Sequence, residues 1–229
     1  MKNLLLLLAL AFFASPLFSQ EKKEDAPTGK PKERFSLGIL GGLNMNQMPS
    51  RPNVDLEGGS YNTRLVPDYA FFAGISARQP ILKRLAAKMD VQFAARGFGC
   101  KKVASTFPAQ EGYRASYLDF VPQVEYNVFK NIYLSLGGYG GVLIEERLKY
   151  SNQDWARIDP DFITLAEDTD WGLASGLRVE FGRVSALVKY QHGLTPAIKL
   201  ETVDSTGALS SPLNQYHRSL QIGVGFKIL

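Results

Sequence analysis

About eight runs of alternating side chains, joined by connections that are alternately long and short, constrain this 229-residue chain more than any other feature. The run "LAAKMDVQFAARGF" shows the pattern: Leu85, Ala87, Met89, Val91, Phe93 and Ala95 share one parity, and Lys88, Asp90, Gln92 and Arg96 take the other. A period of two belongs to a β-strand with two unlike faces. Similar runs are "RFSLGILGGLNMN", "DYAFFAGISARQ", "SYLDFVPQVEYNV", "IYLSLGGYGGVLI", "DWGLASGLRVEF", "VSALVKYQHG" and "RSLQIGVGFKIL". No long stretch keeps a helical period, so the chain is all-β. The short connections are "PILKR", "FKN" and "GR"; the long polar ones run roughly over Gln47–Pro67, Gly99–Arg114, Glu145–Thr169 and Thr195–His217. Strict alternation is what an antiparallel up-and-down barrel gives, with every tight turn at one rim.

Periodicity leaves open which face is outside. A soluble barrel buries the apolar parity, whereas a membrane barrel turns it to lipid and encloses the charges. Three features favour the membrane. Ionisable residues of both signs hold mid-strand positions of the polar parity: Lys88, Asp90, Arg96, Asp119, Glu125, Arg178, Glu180 and Lys189. Mixed signs suit an ion-pair network inside a narrow barrel. Glycines mostly share that parity (Gly38, Gly42, Gly74, Gly172, Gly176, Gly223 and Gly225), as a crowded lumen requires. Aromatics gather near strand ends, at Phe35, Tyr69, Phe71, Tyr126, Phe129, Trp171, Phe181, Tyr190 and Phe226, where a membrane barrel carries its girdles. The expected fold is an eight-stranded antiparallel transmembrane β-barrel over residues 35–229. Pro122 lacks a ladder donor, so a bulge or a rim position is expected there.

The N-terminus "MKNLLLLLALAFFASPLFSQ" has the charged, apolar and small-residue order of a signal peptide, read here as residues 1–20. Its apolar block is short for a spanning helix. Residues 21–34, "EKKEDAPTGKPKER", are charged and lack aromatics, and read as a flexible periplasmic leader. The single Cys100 excludes an intramolecular disulfide; Lys101 and Lys102 beside it favour a thiolate, but an incidental thiol is the simpler reading. The net charge of +4 is spread out, which argues against nucleic-acid binding.

Catalytic and ligand chemistry is sparse. "GGYGG" (137–141) has neither the Lys-Ser/Thr nor the helix of a phosphate-binding loop. His192 and His217, the two histidines, both fall near the tops of strands, so a rim site is one reading and ordinary polar rim residues the other. The acids Asp159, Asp161, Glu167, Asp168 and Asp170 supply hard oxygen ligands without calcium-loop spacing, and read as a solvated external loop. No catalytic, cofactor-binding or metal residue is assigned, and no cofactor is expected.

Longer segments carry a family resemblance. "FSLGILGGLNMN", "YLDFVPQVEYNVFKNIYLSLGGYGGVL" and "DWGLASGLRVEFGRVSALVKYQHGLT", with its element Tyr190, Gly193, Leu194 and Thr195, occur in an order that resembles the PorT-like outer-membrane β-barrel family of Bacteroidetes. "RSLQIGVGFKIL" is similar to that family's closing strand, but ends in Ile228-Leu229 where an aromatic is common. The resemblance implies an integral outer-membrane location and, from the family's namesake, an accessory role in protein secretion. The expected function is a small, non-enzymatic outer-membrane barrel with a structural, secretion-accessory or surface-interaction role. Its partners would be membrane lipid and other envelope proteins, with no nucleic acid. The alternatives are an outer-membrane enzyme with a rim site and a soluble lipocalin-like ligand-binding barrel.

Overall fold

The computed structural model describes residues 35–47, 65–100, 110–150, 153–158, 166–196, 198–200 and 213–229. The expected signal peptide and leader, and Asp159 and Asp161, lie outside the described residues. The strands are β1 (Ser36–Gln47), β2 (Leu65–Leu82), β3 (Leu85–Cys100), β4 (Gln110–Phe129), β5 (Ile132–Tyr150), β6 (Ala156–Arg157), β7 (Thr169–Phe181), β8 (Val184–Gly193), β9 (Ile198–Leu200), β10 (Leu213–Gln215) and β11 (Arg218–Lys227). Eight of them close a ring: β1-β2-β3-β4-β5-β7-β8-β11, with β11 returning antiparallel onto β1 from Gly38↔Lys227 to Gln47↔Arg218. The two-residue β6 adds to the outer end of β5, and β9 pairs with β10 as a separate ribbon.

Closure follows from the turns. Lys83-Arg84, Lys130-Asn131 and Gly182-Arg183 reverse the chain within two residues each. Lys130 (φ 39°) and Gly182 (φ 68°) take the left-handed conformation that such tight hairpins demand. All three turns share one rim with both ends of the barrel domain, where Leu37 N–H donates to the Leu229 carbonyl.

The outer face answers the question that periodicity left open. Phe71 is 74% exposed and Leu136 67%, while Asp90, Gln92, Arg96 and Asp119 are fully buried inside the ring. That inversion needs lipid, not water, around the cylinder. A soluble ligand-binding barrel requires the opposite assignment, so that alternative fails. In hydrocarbon the backbone has no water to bond, and a closed sheet leaves no unpaired edge.

The strands are unequal. β1, β8 and β11 have 12, 10 and 10 residues, close to the roughly 9–11 that cross a bilayer. β2, β3, β4 and β5 have 18, 16, 20 and 19, and since their turn ends are level with the others, the excess projects from the loop rim. The long connections expected from polarity are therefore shorter: β2 begins at Leu65, β4 at Gln110, and β5 continues to Tyr150. Beyond the membrane both faces of a strand tolerate polar residues, which removes the contrast that marks strands within it.

Pro122 corrects another expectation. It sits mid-strand opposite Met89 with no bulge, and the β4–β5 register is the same on either side, at Phe120↔Gly140 and Gln123↔Gly137. Its carbonyl faces Gly137, so the missing N–H falls on the β5 side, where pairing lapses at Val121 and Pro122. "GGYGG" lies in the middle of β5, as the fifth alternating run places it.

Candidate functional site

The only enclosed chemistry among the described residues is the lumen, which is built in tiers from alternate residues of all eight strands. At the turn end, Glu125 on β4 accepts from Arg78 Nε (2.6 Å) and from Arg178 Nε (3.0 Å) and Nη2 (2.7 Å). Arg178 also pairs with Glu180, and both guanidiniums lie over the Tyr133 ring, 5.2 and 4.3 Å from its centroid. One tier further in, Asp90 accepts from Lys88 (3.1 Å) and Lys189 (2.7 Å), and Lys189 reaches Gln92 Oε1 at 3.1 Å. Gln92 donates on to Gln221 at 3.2 Å. Beside this tier Leu40, Phe72, Ala94 and Leu187 form a small apolar block. A Cβ at Gly223 would fall 2.7 Å from Phe72 Cζ, so the ring has its place because residue 223 is glycine.

The upper tier centres on Arg96. Its guanidinium pairs with Asp119 and, at 2.8 Å, with Asp170, and it lies between the rings of Tyr117 (5.0 Å) and Tyr139 (4.7 Å). Asp170 is the hub: it also accepts from Tyr139 Oη at 3.1 Å, lies 3.1 Å from His217 Nδ1, and is 3.4 Å from Thr195 Oγ1. An ionised carboxylate only accepts, so the His217 proton belongs on Nδ1. A Cβ at Gly141 would stand 2.6 Å from Asp119 Oδ1, so this glycine makes room for the pair.

Five cations (Arg78, Lys88, Arg96, Arg178 and Lys189) thus face five carboxylates (Asp90, Asp119, Glu125, Asp170 and Glu180). Buried ions cost several kcal/mol each unless paired and hydrogen-bonded. Within these tiers the signs balance, five against five, and the buried Glu146 adds one further carboxylate at the mouth. One residual cleft, of about 60 Å³, opens at the turn rim between Arg78, Arg178, Arg183 and Lys227, with room for a few waters.

Above Arg96 the inner face turns apolar. Tyr113, Ala115, Tyr117 and Ala166 are buried together, with Phe98, Leu143, Leu148 and Ile158 packed against them. Glu146 accepts from the Tyr113 hydroxyl and from Ala166 N–H (2.7 Å), Ile158 N–H donates to the Glu146 carbonyl at 2.9 Å, and Leu143 N–H to the Asp168 carbonyl at 2.9 Å. Both ends of the β5–β7 connection are thereby seated in the outer mouth of the barrel. On its flank Arg114 grips Asp68 with two bonds (2.7 and 2.8 Å) and lies 4.3 Å from the Trp155 ring.

The candidates read from sequence are distributed otherwise than expected. His192 takes the outward parity beside Tyr190, with its Nδ1 3.4 Å from the Tyr190 hydroxyl, while His217 points into the lumen and is buried. The two histidines occupy opposite faces of the sheet and form no joint site. Among the described residues His217 Nε2 has no hydrogen-bond partner, and none of them sets a hydroxyl there for the Asp170–His217 pair to activate. Asp170, read from sequence both as an acid of an external loop and on the polar parity of the sixth run with Arg178 and Glu180, follows the second reading and is the buried hub. Tyr117 and Tyr139, which enclose Arg96, were missed as lumen residues although both follow the inward parity. Among the described residues no three His, Cys, Asp or Glu side chains gather as a metal site would need. The Cys100 side chain lies outside those described.

No curated protein matches the sequence. Among solved structures the chain is similar to the outer membrane protein OprG from Pseudomonas aeruginosa, with 13% identity over 85% of this chain and 96% of that one and a TM-score of 0.46. It is also similar to Neisserial surface protein A (12% identity, 85% and 97% covered, TM-score 0.45) and to Ail, the attachment invasion locus protein of Yersinia pestis (11%, 86% and 100%, TM-score 0.43). The model of the outer membrane protein beta-barrel domain matches residues 18–199. With the sheet closed, the ions inside and that match over most of its length, this chain belongs to the outer membrane protein β-barrel domain family.

Proposed function

We propose that the protein is a non-conducting, non-enzymatic barrel that works through what it presents at its two rims, as a surface-structural or secretion-accessory component of the envelope. The observation that carries this reading is a lumen crossed by ion pairs, in which five cations each meet a carboxylate. A pore needs a continuous water path, and eight strands leave an interior only wide enough for side chains. Here that interior is crossed by the Arg96 and Lys189 tiers and capped by the segment holding Ala166. An enzyme at the rim needs converging groups, and the two histidines diverge. The PorT-like resemblance supports the accessory role over a purely structural one. Export through residues 1–20, with residues 21–34 as a periplasmic leader, belongs to the same proposal; N-terminal sequencing of the mature protein checks it.

Planar-bilayer recording tests the central claim. The purified barrel is expected to give no steps above the background of protein-free bilayers. Stable porin-like steps, on the order of a nanosiemens, would overturn the plugged lumen. Trimming the long connections between Gln47 and Leu65, and between Leu200 and Leu213, while the barrel still inserts, is expected to abolish the protein's cellular phenotype. An unchanged phenotype moves the working surface to the turn rim.

A further inference from the structure

The turn rim carries a repeated pairing of apolar residue and cation, and two of its cations, Arg183 and Lys227, also border the residual cleft. At four stations around the mouth a bulky apolar residue, exposed on the outer face, is followed within two residues by an exposed cation: Leu82 with Lys83 and Arg84, Phe129 with Lys130, Phe181 with Arg183, and Phe226 with Lys227. Backbone hydrogen bonds fix these stations at one level. Asn127 N–H donates to the Arg84 carbonyl (2.8 Å), Glu180 N–H to the Asn131 carbonyl (2.9 Å), and Lys227 N–H to the Arg183 carbonyl (2.7 Å). Lys130 Nζ lies 5.6 Å from the centre of the Phe129 ring, so that cation sits at the edge of the apolar belt rather than far out in water. No exposed acidic side chain answers these cations: among the described residues the exposed acids, Asp154 and Asp168, belong to the loop rim. Glu180, the one partly exposed acid near the turns, is paired with Arg178.

We infer that the turn rim is a collar that binds anionic phospholipid headgroups, the five cations meeting lipid phosphates while the apolar residue before each meets acyl chains. The circular placement decides between a lipid and a protein partner. A protein docks on a patch and would draw the charges to one side, whereas a leaflet surrounds the barrel and meets every station. Basic residues just outside hydrocarbon attract anionic lipid, and each adds to the attraction while it remains within a Debye length of the headgroups. The inference rests on the chain being an inserted barrel and not on whether its lumen conducts.

The test is the composition of the lipid shell. Full-length barrel is reconstituted in phosphatidylcholine vesicles containing a trace of chain-spin-labelled phosphatidylglycerol or phosphatidylcholine, and the motionally restricted fraction is measured by electron spin resonance. Phosphatidylglycerol is expected to be enriched about threefold over phosphatidylcholine around the native protein. The enrichment should fall close to one in the variant K83Q/R84Q/K130Q/R183Q/K227Q. Heat-modifiable migration reports whether that variant has inserted. If it has not, the native protein in molar salt replaces it, and loss of the preference there supports the collar. Equal shells for the two lipids, a preference unchanged by the five substitutions, or one indifferent to salt overturns it. Capture of an oligoglutamate peptide by the native turns, with no lipid preference, overturns it in favour of an acidic protein partner.

Discussion

A guanidinium with no exposed surface, held by two carboxylates and enclosed by two phenol rings, cannot lose its charge without stranding its partners. Arg96→Met leaves Asp119 buried without its cation, with Gln92 as its remaining donor at 3.4 Å. Breaking one side of a buried pair costs about 3–5 kcal/mol, so urea titration of the micelle-embedded barrel is expected to show a loss of that size. Asp119→Leu alone should be comparably harmful, because Arg96 then keeps Asp170 as its one carboxylate, with Gln191 Oε1 at 3.4 Å. The double variant R96M/D119L is expected to lose clearly less than the sum of the two, since neither Arg96 nor Asp119 is left without the other, and only Asp170 still lacks its cation. Strict additivity would mean that the two side chains do not act as a pair. At this scale the sequence is readable as far as parity goes: Lys88, Asp90, Arg96, Asp119, Glu125, Arg178, Glu180 and Lys189 all take part in the interior pairs that alternation suggested. What alternation does not disclose is depth along the cylinder, which depends on strand stagger. Depth is what brings Asp170, at the start of one strand, beside Arg96 near the end of another.

The three hairpins are set by two-residue turns, and their chemistry differs. Gly182 at φ 68° has nothing within 4 Å of where a Cβ would lie, so Gly182→Ala meets no clash and changes only the backbone preference. A left-handed non-glycine residue costs roughly 1–2 kcal/mol, and the variant is expected to lose about 1 kcal/mol in the same urea assay without changing its heat-modifiable migration. Lys130 already bears that conformation as a non-glycine, helped by Asn127 Nδ2, which donates to its carbonyl at 2.7 Å. Lys130→Gly should therefore be neutral or mildly stabilising, and a loss comparable to that of Gly182→Ala would contradict this account. Strand number and turn positions are legible in the sequence because a membrane forces strict alternation within about ten residues. Strand length is not. Gln110–Arg114 and Glu145–Tyr150 read as loop because their polarity looks loop-like, yet they continue β4 and β5 beyond the hydrocarbon and form the wall against which Ala166 and Ile158 pack.

For the molecule as a whole, closure is the property on which insertion depends, more than chain order. β11 is paired on both sides, with β1 over Gly38–Gln47 and with β8 over Val184–His192. Deleting residues 218–229 would open two edges in hydrocarbon, where each unsatisfied N–H or C=O costs several kcal/mol, and the truncated chain is expected not to insert. Loss of a strand and loss of a C-terminal assembly signal would look alike in that experiment. A circular permutant separates them. The barrel's two ends meet at the turn rim, where Leu37 and Leu229 are joined by two backbone bonds of 3.2 Å, so a short glycine-rich linker can connect residues 229 and 35. New ends placed between Leu200 and Leu213 leave every barrel pairing intact while moving the β11 sequence to the N-terminal side. If closure governs stability, the permutant folded from urea into detergent micelles should give the same heat-modifiable shift as the native chain, with a urea midpoint within about 1 kcal/mol of it, the scale of changes remote from the core. A permutant that refolds no better than the truncated chain would show that the order of the strands, and not the closed ladder, limits folding. The sequence announces eight strands, an inverted surface and, through their even number, two ends at one rim; the register of β1 on β11 had to come from the structure.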